Sequence, residues 1–154
     1  MRLSGDERRL LLGALALLPL AELAARFLPL PKLIHLFHLR TVGPVCQPVR
    51  LVSDVARCPP EHLMAAMAMR KIFRVIDRKI FFWPGKCLAQ ALVARFFLRR
   101  QGVPCLLSLG AKQSGYQSGD ETRQSLRAHA WLQAGDVVVT GDGAQDYIPV
   151  AFFH

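Results

Sequence analysis

The sequence predicts a single α+β domain in which the helices come first and a small antiparallel sheet follows. With 154 residues, of which 52% are hydrophobic and 20% charged, the chain can build one core and is not intrinsically disordered. Helical patterns fill most of the first two thirds, and short extended runs follow them. Such segregation is typical of α+β domains. We divide the single domain, residues 1–154, into a helical amino-terminal region with a connector, 1–58, and a core, 59–154.

Four helices are predicted. The Leu-rich beginning of the chain favours an amphipathic helix over residues 4–26, and a second, short helix is expected around residues 32–39. Residues 41–57 carry scattered Gly and Pro among short apolar runs, so we interpret them as a connector. A third helix, 59–79, starts at two prolines and a glutamate, and a fourth, 87–100, ends in basic residues shortly before a glycine.

The strands are predicted at residues 105–111, 127–133, 137–140 and 147–153, separated by Gly-, Ser- and Asp-containing stretches. We expect them to form an antiparallel sheet that packs against the fourth helix. The polar stretch 113–124 is interpreted as a mobile loop.

The first helix also loosely imitates a secretory signal or a membrane span, because arginines precede the apolar run 10–21. Prolines and charges are expected to interrupt any stretch near the roughly 20 apolar residues that a span needs. These residues are Pro19, Glu22, Arg26 and Pro29. We therefore favour a helix whose Leu-rich face packs on the domain, and note that its Leu, Phe and basic residues could also rest on a membrane surface.

The formal net charge of +9 favours anionic partners, which include acidic peptides, anionic lipid and nucleic acid. The excess is amino-terminal, since 13 basic and 6 acidic residues occur up to Ile80. Four widely spaced cysteines without a CxxC pair favour a reducing, cytoplasmic setting. The only close pair of candidate metal ligands, His35 and His38, is typical of an ordinary helix surface, so we expect no metal and no other cofactor.

A candidate nucleophile stands where the fourth helix begins. In the segment Trp83-Pro84-Gly85-Lys86-Cys87, unpaired backbone N–H groups and the helix dipole favour the thiolate form of Cys87, and Lys86 adds positive charge. A buried structural thiol is the alternative for any cysteine. We apply that interpretation to Cys46, Cys58 and Cys105.

A nucleophilic cysteine needs a base, and His129 in the alternating segment 127–132 is the best candidate. If the chain turns at Ala134-Gly135-Asp136, the residue opposite His129 lies near position 141. Asp142 is within one residue of that point and becomes the predicted carboxylate that orients the imidazole. The Gly-Asp-Gly sequence around Asp142 is equally typical of an ordinary turn.

Three features occur in a characteristic order: a Cys at a helix start, a His in an Ala-His-Ala-Trp strand, and an Asp after a second strand. This order resembles the transglutaminase-like, papain-type cysteine catalytic core. Further motifs resemble the leader peptidases of lasso-peptide biosynthesis, the protease half of the lasso-peptide B protein. The motifs are Lys86-Cys87-Leu88, Leu98-Arg99-Arg100-Gln101-Gly102-Val103-Pro104, Leu109-Gly110 and Ala128-His129-Ala130-Trp131. The resemblance covers residues 83–153 in specific motifs and continues loosely through the Leu- and Arg-rich amino-terminal helices, so that it extends over about the whole chain.

The resemblance implies that Cys87 is the nucleophile, that His129 is the general base and then the acid, and that Asp142 fixes the histidine tautomer. The implied reaction is hydrolysis of the peptide bond between the leader and the core of a ribosomally made lasso-peptide precursor. The Cys87 backbone N–H is the natural oxyanion donor, with a second near Trp83.

Lys86 and Trp131 are further residues that we assign to oxyanion or substrate binding. The chain departs from the usual pattern at Leu132-Gln133 and in the polar insert before Leu126. Both departures bear on substrate preference.

The fused form of this family begins with a winged-helix leader-recognition domain, and residues before Pro59 lack its three-strand start. We therefore expect a stand-alone protease half that works with the precursor peptide, a separate leader-recognition protein and an ATP-dependent lasso cyclase. The basic amino-terminal half could dock a partner, the acidic leader or a membrane surface, and nucleic acid is not an expected partner. The alternatives are a transglutaminase-like acyl transferase or amidase and a non-catalytic, peptide-binding or membrane-associated scaffold.

Overall fold

The fold is described from a computed structural model. It describes residues 4–37, 39–40, 59–79, 86–118 and 121–154. For residues 79, 86, 114–118 and 121–125 it describes the backbone alone. The connector predicted at residues 41–57 lies outside the described residues.

Four helices are present in the described residues, and each coincides within a few residues with a predicted one. They are α1 (Gly5–Phe27), α2 (Leu30–Leu36), α3 (Pro60–Lys79) and α4 (Lys86–Arg100). Helix α4 is followed by Gly102, whose positive φ of 72° suits a helix-terminating turn. The Gly102 N–H donates to the carbonyl of Arg99, so this glycine ends the helix as the sequence indicates.

Helix α1 starts in a capping box. The Ser4 hydroxyl accepts from the Glu7 N–H at 3.3 Å, and the Ser4 N–H donates to the Glu7 carboxylate at 2.8 Å. The same carboxylate binds the Lys71 ammonium at 2.8 Å and thereby ties α1 to α3. The inner face of α1 buries Ala14, Leu18 and Ala21.

Helix α1 continues through Pro19, as the helix predicted over residues 4–26 requires. A proline removes one backbone hydrogen bond, and here the packed residues on the inner face of the helix keep its course. Helix α1 is long and apolar enough to cross a membrane, with a mean hydropathy of 1.8 over its most apolar window, of which only 17% is buried.

The sheet is antiparallel and has the strand order β3-β2-β1-β4. Its strands are β1 (Leu106–Ser118), β2 (Glu121–Ala134), β3 (Val137–Thr140) and β4 (Ile148–Phe153). The α+β class and the four strands are therefore confirmed.

The loop predicted at residues 113–124 is wrong, because β1 and β2 remain paired as far as Ser118 and Glu121. Two strands already in register can continue as a ribbon beyond the sheet, where both faces meet water and polar residues are normal. Polar composition alone therefore suggested a loop where the chain forms a hairpin.

The core lies between the sheet, α4 and the other helices. Helix α4 is the central element, and small alanines at positions 89, 91 and 94 let its neighbours approach closely. The Gln90 amide donates to the Asp77 carboxylate at 2.9 Å and joins α4 to α3. Larger buried side chains fill the spaces between the layers, chiefly Met69, Ile72, Phe73, Leu92, Leu98, Leu107 and Leu132. This packing fixes the first turn of α4 against the middle of β2.

Candidate active site

Cys87 and His129 meet where α4 begins. Cys87 is the second residue of α4 and is half-buried, and His129 stands on β2 opposite Gly110 of β1. The thiol and the imidazole form a hydrogen bond, although they are 42 positions apart in the sequence. The packing of α4 on the sheet therefore brings together the cysteine and the histidine that the sequence predicts as nucleophile and base.

The environment of Cys87 favours the thiolate. Burial alone raises the pKa of the thiol, but a hydrogen bond from His129 and backbone N–H bonds from Ala130 and Leu88, together with the attraction of the imidazolium, bring that pKa below its ordinary value. The Leu88 N–H belongs to the first turn of α4, so the predicted effect of the helix start on the sulfur has a specific donor.

The pKa of His129 moves in the opposite direction. Its hydrogen bond to Cys87 raises the pKa, burial lowers it, and the backbone carbonyl of Gly141 and the charge of the thiolate raise it again, with a net increase. A lowered thiol pKa and a raised imidazole pKa both widen the pH range in which a thiolate–imidazolium pair exists. This pair is the reactive form of a cysteine nucleophile.

Two aromatic rings stack on the imidazole of His129. Tyr147, just before β4, stacks on His129 with ring centroids 4.8 Å apart, and Trp131 stacks at 6.2 Å. The Trp131 ring is buried over Gly110, where an added Cβ would lie 2.7 Å from it. Trp131 thus forms a wall of the site, and Gly110 leaves the space that the ring occupies.

The turn after β3 supplies a backbone group that contacts the imidazole. The pairing of β2 with β3 ends at Leu132 and Thr140 after an irregularity, so no residue of β3 stands opposite His129. Gly141 follows at once, and its carbonyl interacts with the imidazole.

The carboxylate of the next residue, Asp142, lies near α3 and is not paired with His129. The Asp142 side chain is 69% exposed, and its carboxylate lies 4.0 Å from Arg74 Nε on α3. His129 Nε2 is buried and makes no hydrogen bond of ordinary geometry within the described residues. The orienting role of Asp142 stays a prediction, since this carboxylate and this nitrogen are not paired here.

Replacing Gly141 by alanine should destabilise the protein more than the same change at Gly143. Both glycines have positive φ, 82° and 89°, which costs an alanine roughly 1–2 kcal/mol. A Cβ at Gly141 would also lie 2.6 Å from the Ala130 carbonyl and from Trp131 Cβ, whereas nothing lies within 4 Å at Gly143. We expect about 1–3 kcal/mol of additional loss for Gly141→Ala in urea unfolding. Equal losses would contradict the close packing of Gly141 against β2.

The other predicted positions differ in what the structure describes. Trp83 lies outside the described residues, as do Cys46, Cys58 and the side chain of Lys86. Cys105 is buried, and burial raises its pKa to about 11, which is typical of a structural thiol. Within the described residues, no group of three or more His, Cys, Asp or Glu side chains could hold a metal ion.

A comparison with protein families agrees with this geometry. The model of the Transglutaminase-like superfamily matches residues 33–151. The chain belongs to this superfamily. Its fold is typical of cysteine-type proteases and acyl transferases, and the matched region includes Cys87, His129 and Asp142. No curated protein and no solved structure gave a significant match.

Sequence reasoning missed part of this superfamily member's site. Tyr147 was placed only in a strand, and the Ala130 N–H and the Gly141 carbonyl are backbone groups that any residue could supply. The one available signal was Gly141, because a glycine beside a predicted site residue indicates close backbone approach.

Proposed function

We propose that this chain is a cysteine peptidase that removes the leader from a ribosomally synthesised lasso-peptide precursor. The observation that carries the catalytic part is the Cys87–His129 hydrogen bond at the start of α4, with the two pKa values displaced so as to favour the ion pair. The choice of substrate is supported by the motifs around Cys87, Gly102 and His129, which resemble lasso-peptide leader peptidases.

In the acylation step, the Cys87 thiolate attacks the carbonyl carbon of the bond between leader and core. The oxyanion that forms is stabilised by backbone N–H groups near the start of α4, of which the Cys87 N–H is the natural donor. The C–N bond then breaks, and the His129 imidazolium gives its proton to the departing core amine. The leader is left as a thioester on Cys87, and the core leaves with a free amino terminus.

In the deacylation step, neutral His129 takes a proton from water, and the resulting hydroxide attacks the thioester carbonyl. Collapse of the intermediate releases the leader carboxylate and restores the thiolate and the imidazolium. Asp142 is proposed to hold the imidazole in the tautomer that both steps need. This role requires the exposed Asp142 side chain to leave Arg74 and turn toward His129.

The second candidate is a transglutaminase-like acyl transferase or amidase. It would use the same thioester and differ only in the acceptor, an amine in place of water, or in the amide that is attacked. Superfamily membership favours either chemistry, and the lasso-type motifs favour the peptidase. A non-catalytic scaffold, the third alternative, is disfavoured because a paired, polarised thiol has no use in mere peptide binding.

Partners follow from the same proposal. The peptidase would act in the cytoplasm with a separate leader-recognition protein, and the released core would pass to an ATP-dependent cyclase. A recognition protein that holds the leader raises the local concentration of the cleavage site. The basic amino-terminal half offers a surface for that protein or for an acidic leader.

The peptidase by itself should cleave the precursor slowly. Adding the recognition protein should accelerate cleavage at low precursor concentration. Initial rates across a precursor titration, read by mass spectrometry, measure this effect. Excess leader fragment without the cleavage site should inhibit, and high salt should weaken the acceleration if basic residues make the contact.

Equal rates with and without the recognition protein, well below saturation, would show that the chain reads the leader by itself. An added primary amine distinguishes the two enzyme classes. A peptidase gives only the leader carboxylate, whereas an acyl transferase gives the leader amide of that amine.

A further inference from the structure

Helix α1 exposes an apolar face that the rest of the described chain does not cover. Five large apolar residues of α1 point away from the core and fall within an arc of about 140° around the helix axis, at 3.6 residues per turn. The large side chains on this arc are between 37% and 73% exposed: Leu12, Leu15, Leu20, Leu23 and Phe27. We call these five residues the outer face. The exposed residues Ala16 and Pro19 lie between them, and a contiguous apolar strip of this kind marks an interaction surface.

Arginines stand at both ends of the outer face. Arg8 and Arg9 precede it and Arg26 lies near its end, all three exposed and within the same arc of α1. The acidic residues of α1 lie outside this arc: Glu7 faces α3 through its contact with Lys71, Glu22 is only half-exposed at the margin, and the exposed Asp6 lies about 40° beyond it. An apolar strip bounded by cations is complementary to a surface with anionic groups above hydrocarbon.

A groove of about 700 Å³ continues the outer face toward α4. Leu20 belongs to both. The opposite walls come from the end of α2 with the following residue, Phe37, and from α4, which contributes Phe96 and three arginines. The arginines are Arg95, Arg99 and Arg100. The groove is therefore apolar inside and cationic along the side formed by α4.

Arg95, which lines the groove, has a buried donor without a partner, and this independently favours an anionic ligand there. Its side chain is 98% buried, donates from Nη1 to the Phe37 carbonyl at 3.0 Å, and leaves Nε without a hydrogen-bond partner in the described residues. Leaving a buried charged donor unpaired is costly, and an anion in the groove would satisfy it.

We propose that α1 and the adjoining groove dock the protein on the surface of an anionic phospholipid membrane. The outer face enters the boundary between headgroups and acyl chains, and the arginines bind phosphate groups. The helix lies along the surface and does not span it, because its inner face is part of the core through Ala14, Leu18 and Ala21. Cys87 and Arg100 are at opposite ends of α4, about 20 Å apart at 1.5 Å per residue, so docking leaves the catalytic pair accessible.

Vesicle co-sedimentation of the full chain tests this proposal. We expect binding to vesicles of phosphatidylcholine with about 30% phosphatidylglycerol and little to phosphatidylcholine alone. Changing Arg8, Arg9 or Arg26 to Gln should weaken binding about 5-fold for each charge removed, and raising NaCl from about 0.1 M to about 0.5 M should weaken it further. Equal binding to both vesicles would overturn the electrostatic part, and absence of binding to either would overturn the proposal.

The double variant Leu20→Glu/Leu23→Glu should reduce vesicle binding at least about 10-fold. The matched control is Met64→Glu/Met67→Glu on α3, with the same spacing and similar exposure, 72% and 58% against 63% and 57%. Circular dichroism checks that both variants fold. Equal losses of vesicle binding in the two double variants would contradict the proposal that the outer face contacts the membrane.

Resistance of the bound protein to alkaline carbonate would indicate a spanning helix. A dimer that dissociates in the α1 variant would indicate a second copy as the occupant. Either result overturns the membrane-surface proposal.

Discussion

Cys87→Ala should abolish precursor cleavage and leave the fold intact. The loss should be on the order of 10⁶-fold, the size found when a nucleophile is removed from a hydrolytic triad. The side chain is only half-buried and its helix is held by residues deeper in the core, so unfolding is not expected. Cleavage assays with matched thermal melts measure both quantities.

Labelling with iodoacetamide tests the same thiol without a substrate. At neutral pH, Cys87 should react faster than Cys105, because the pKa of Cys87 lies below its ordinary value and that of Cys105 is raised to about 11. Mass spectrometry of peptides identifies the labelled residue, including Cys46 and Cys58. Faster labelling of another cysteine, or retained cleavage in Cys87→Ala, would remove Cys87 from the mechanism.

His129→Ala should lower the cleavage rate by about 10²–10⁴-fold, the usual contribution of a general acid–base group. It should also change the pH dependence of Cys87 alkylation. Without the imidazole, burial, which raises the thiol pKa, is opposed only by the backbone donors, so the pKa rises and the alkylation midpoint moves to higher pH. An unchanged midpoint would mean that His129 does not stabilise the thiolate.

Asp142→Asn tests the third member of the proposed triad. We expect the variant to fold and to lose a large part of the rate, since an amide stabilises an imidazolium less well. The same change at Asp136 in the β2–β3 turn, or at Asp146, should have little effect. A normal rate in Asp142→Asn would show that the Gly141 carbonyl alone orients His129, whereas a loss confined to Asp136→Asn would contradict the assignment of the turn.

Much of the fold could be predicted because its signals are local. The fourth helix has strong helix formers and a glycine after its end, and α1 has a serine and a glutamate in the spacing of a capping box. The extension of β1 and β2 was missed because polar residues are common in both loops and solvated ribbons. The helix predicted over residues 4–26 continues through Pro19, where burial on the inner face of α1 outweighs one lost hydrogen bond.

Only the principal side chains of the candidate site could be predicted from the sequence. Residue type and position in their elements are enough to predict Cys87 and His129 as candidate nucleophile and base. The backbone donors, the stacking of Tyr147 and the approach of Gly141 depend on how α4, β2 and β4 pack, which residue type does not encode. The predicted hairpin places position 141 opposite His129, and in the structure the Gly141 carbonyl contacts the imidazole while the role of Asp142 stays a prediction.

The β1–β2 ribbon bears on how the protein behaves at high concentration. Among the described strands, β4 pairs with β1 only from Leu107 to Ala111 and β3 pairs with β2 only from Leu132 to Ala134, so the ribbon beyond them has two open edges. Open edges invite pairing with another copy and growth into aggregates. The sequence of the ribbon carries Lys112, Glu121, Arg123 and Arg127, and charges of this kind on an edge oppose such pairing. These charges are therefore expected to keep the open edges of the ribbon from pairing with another copy at high concentration.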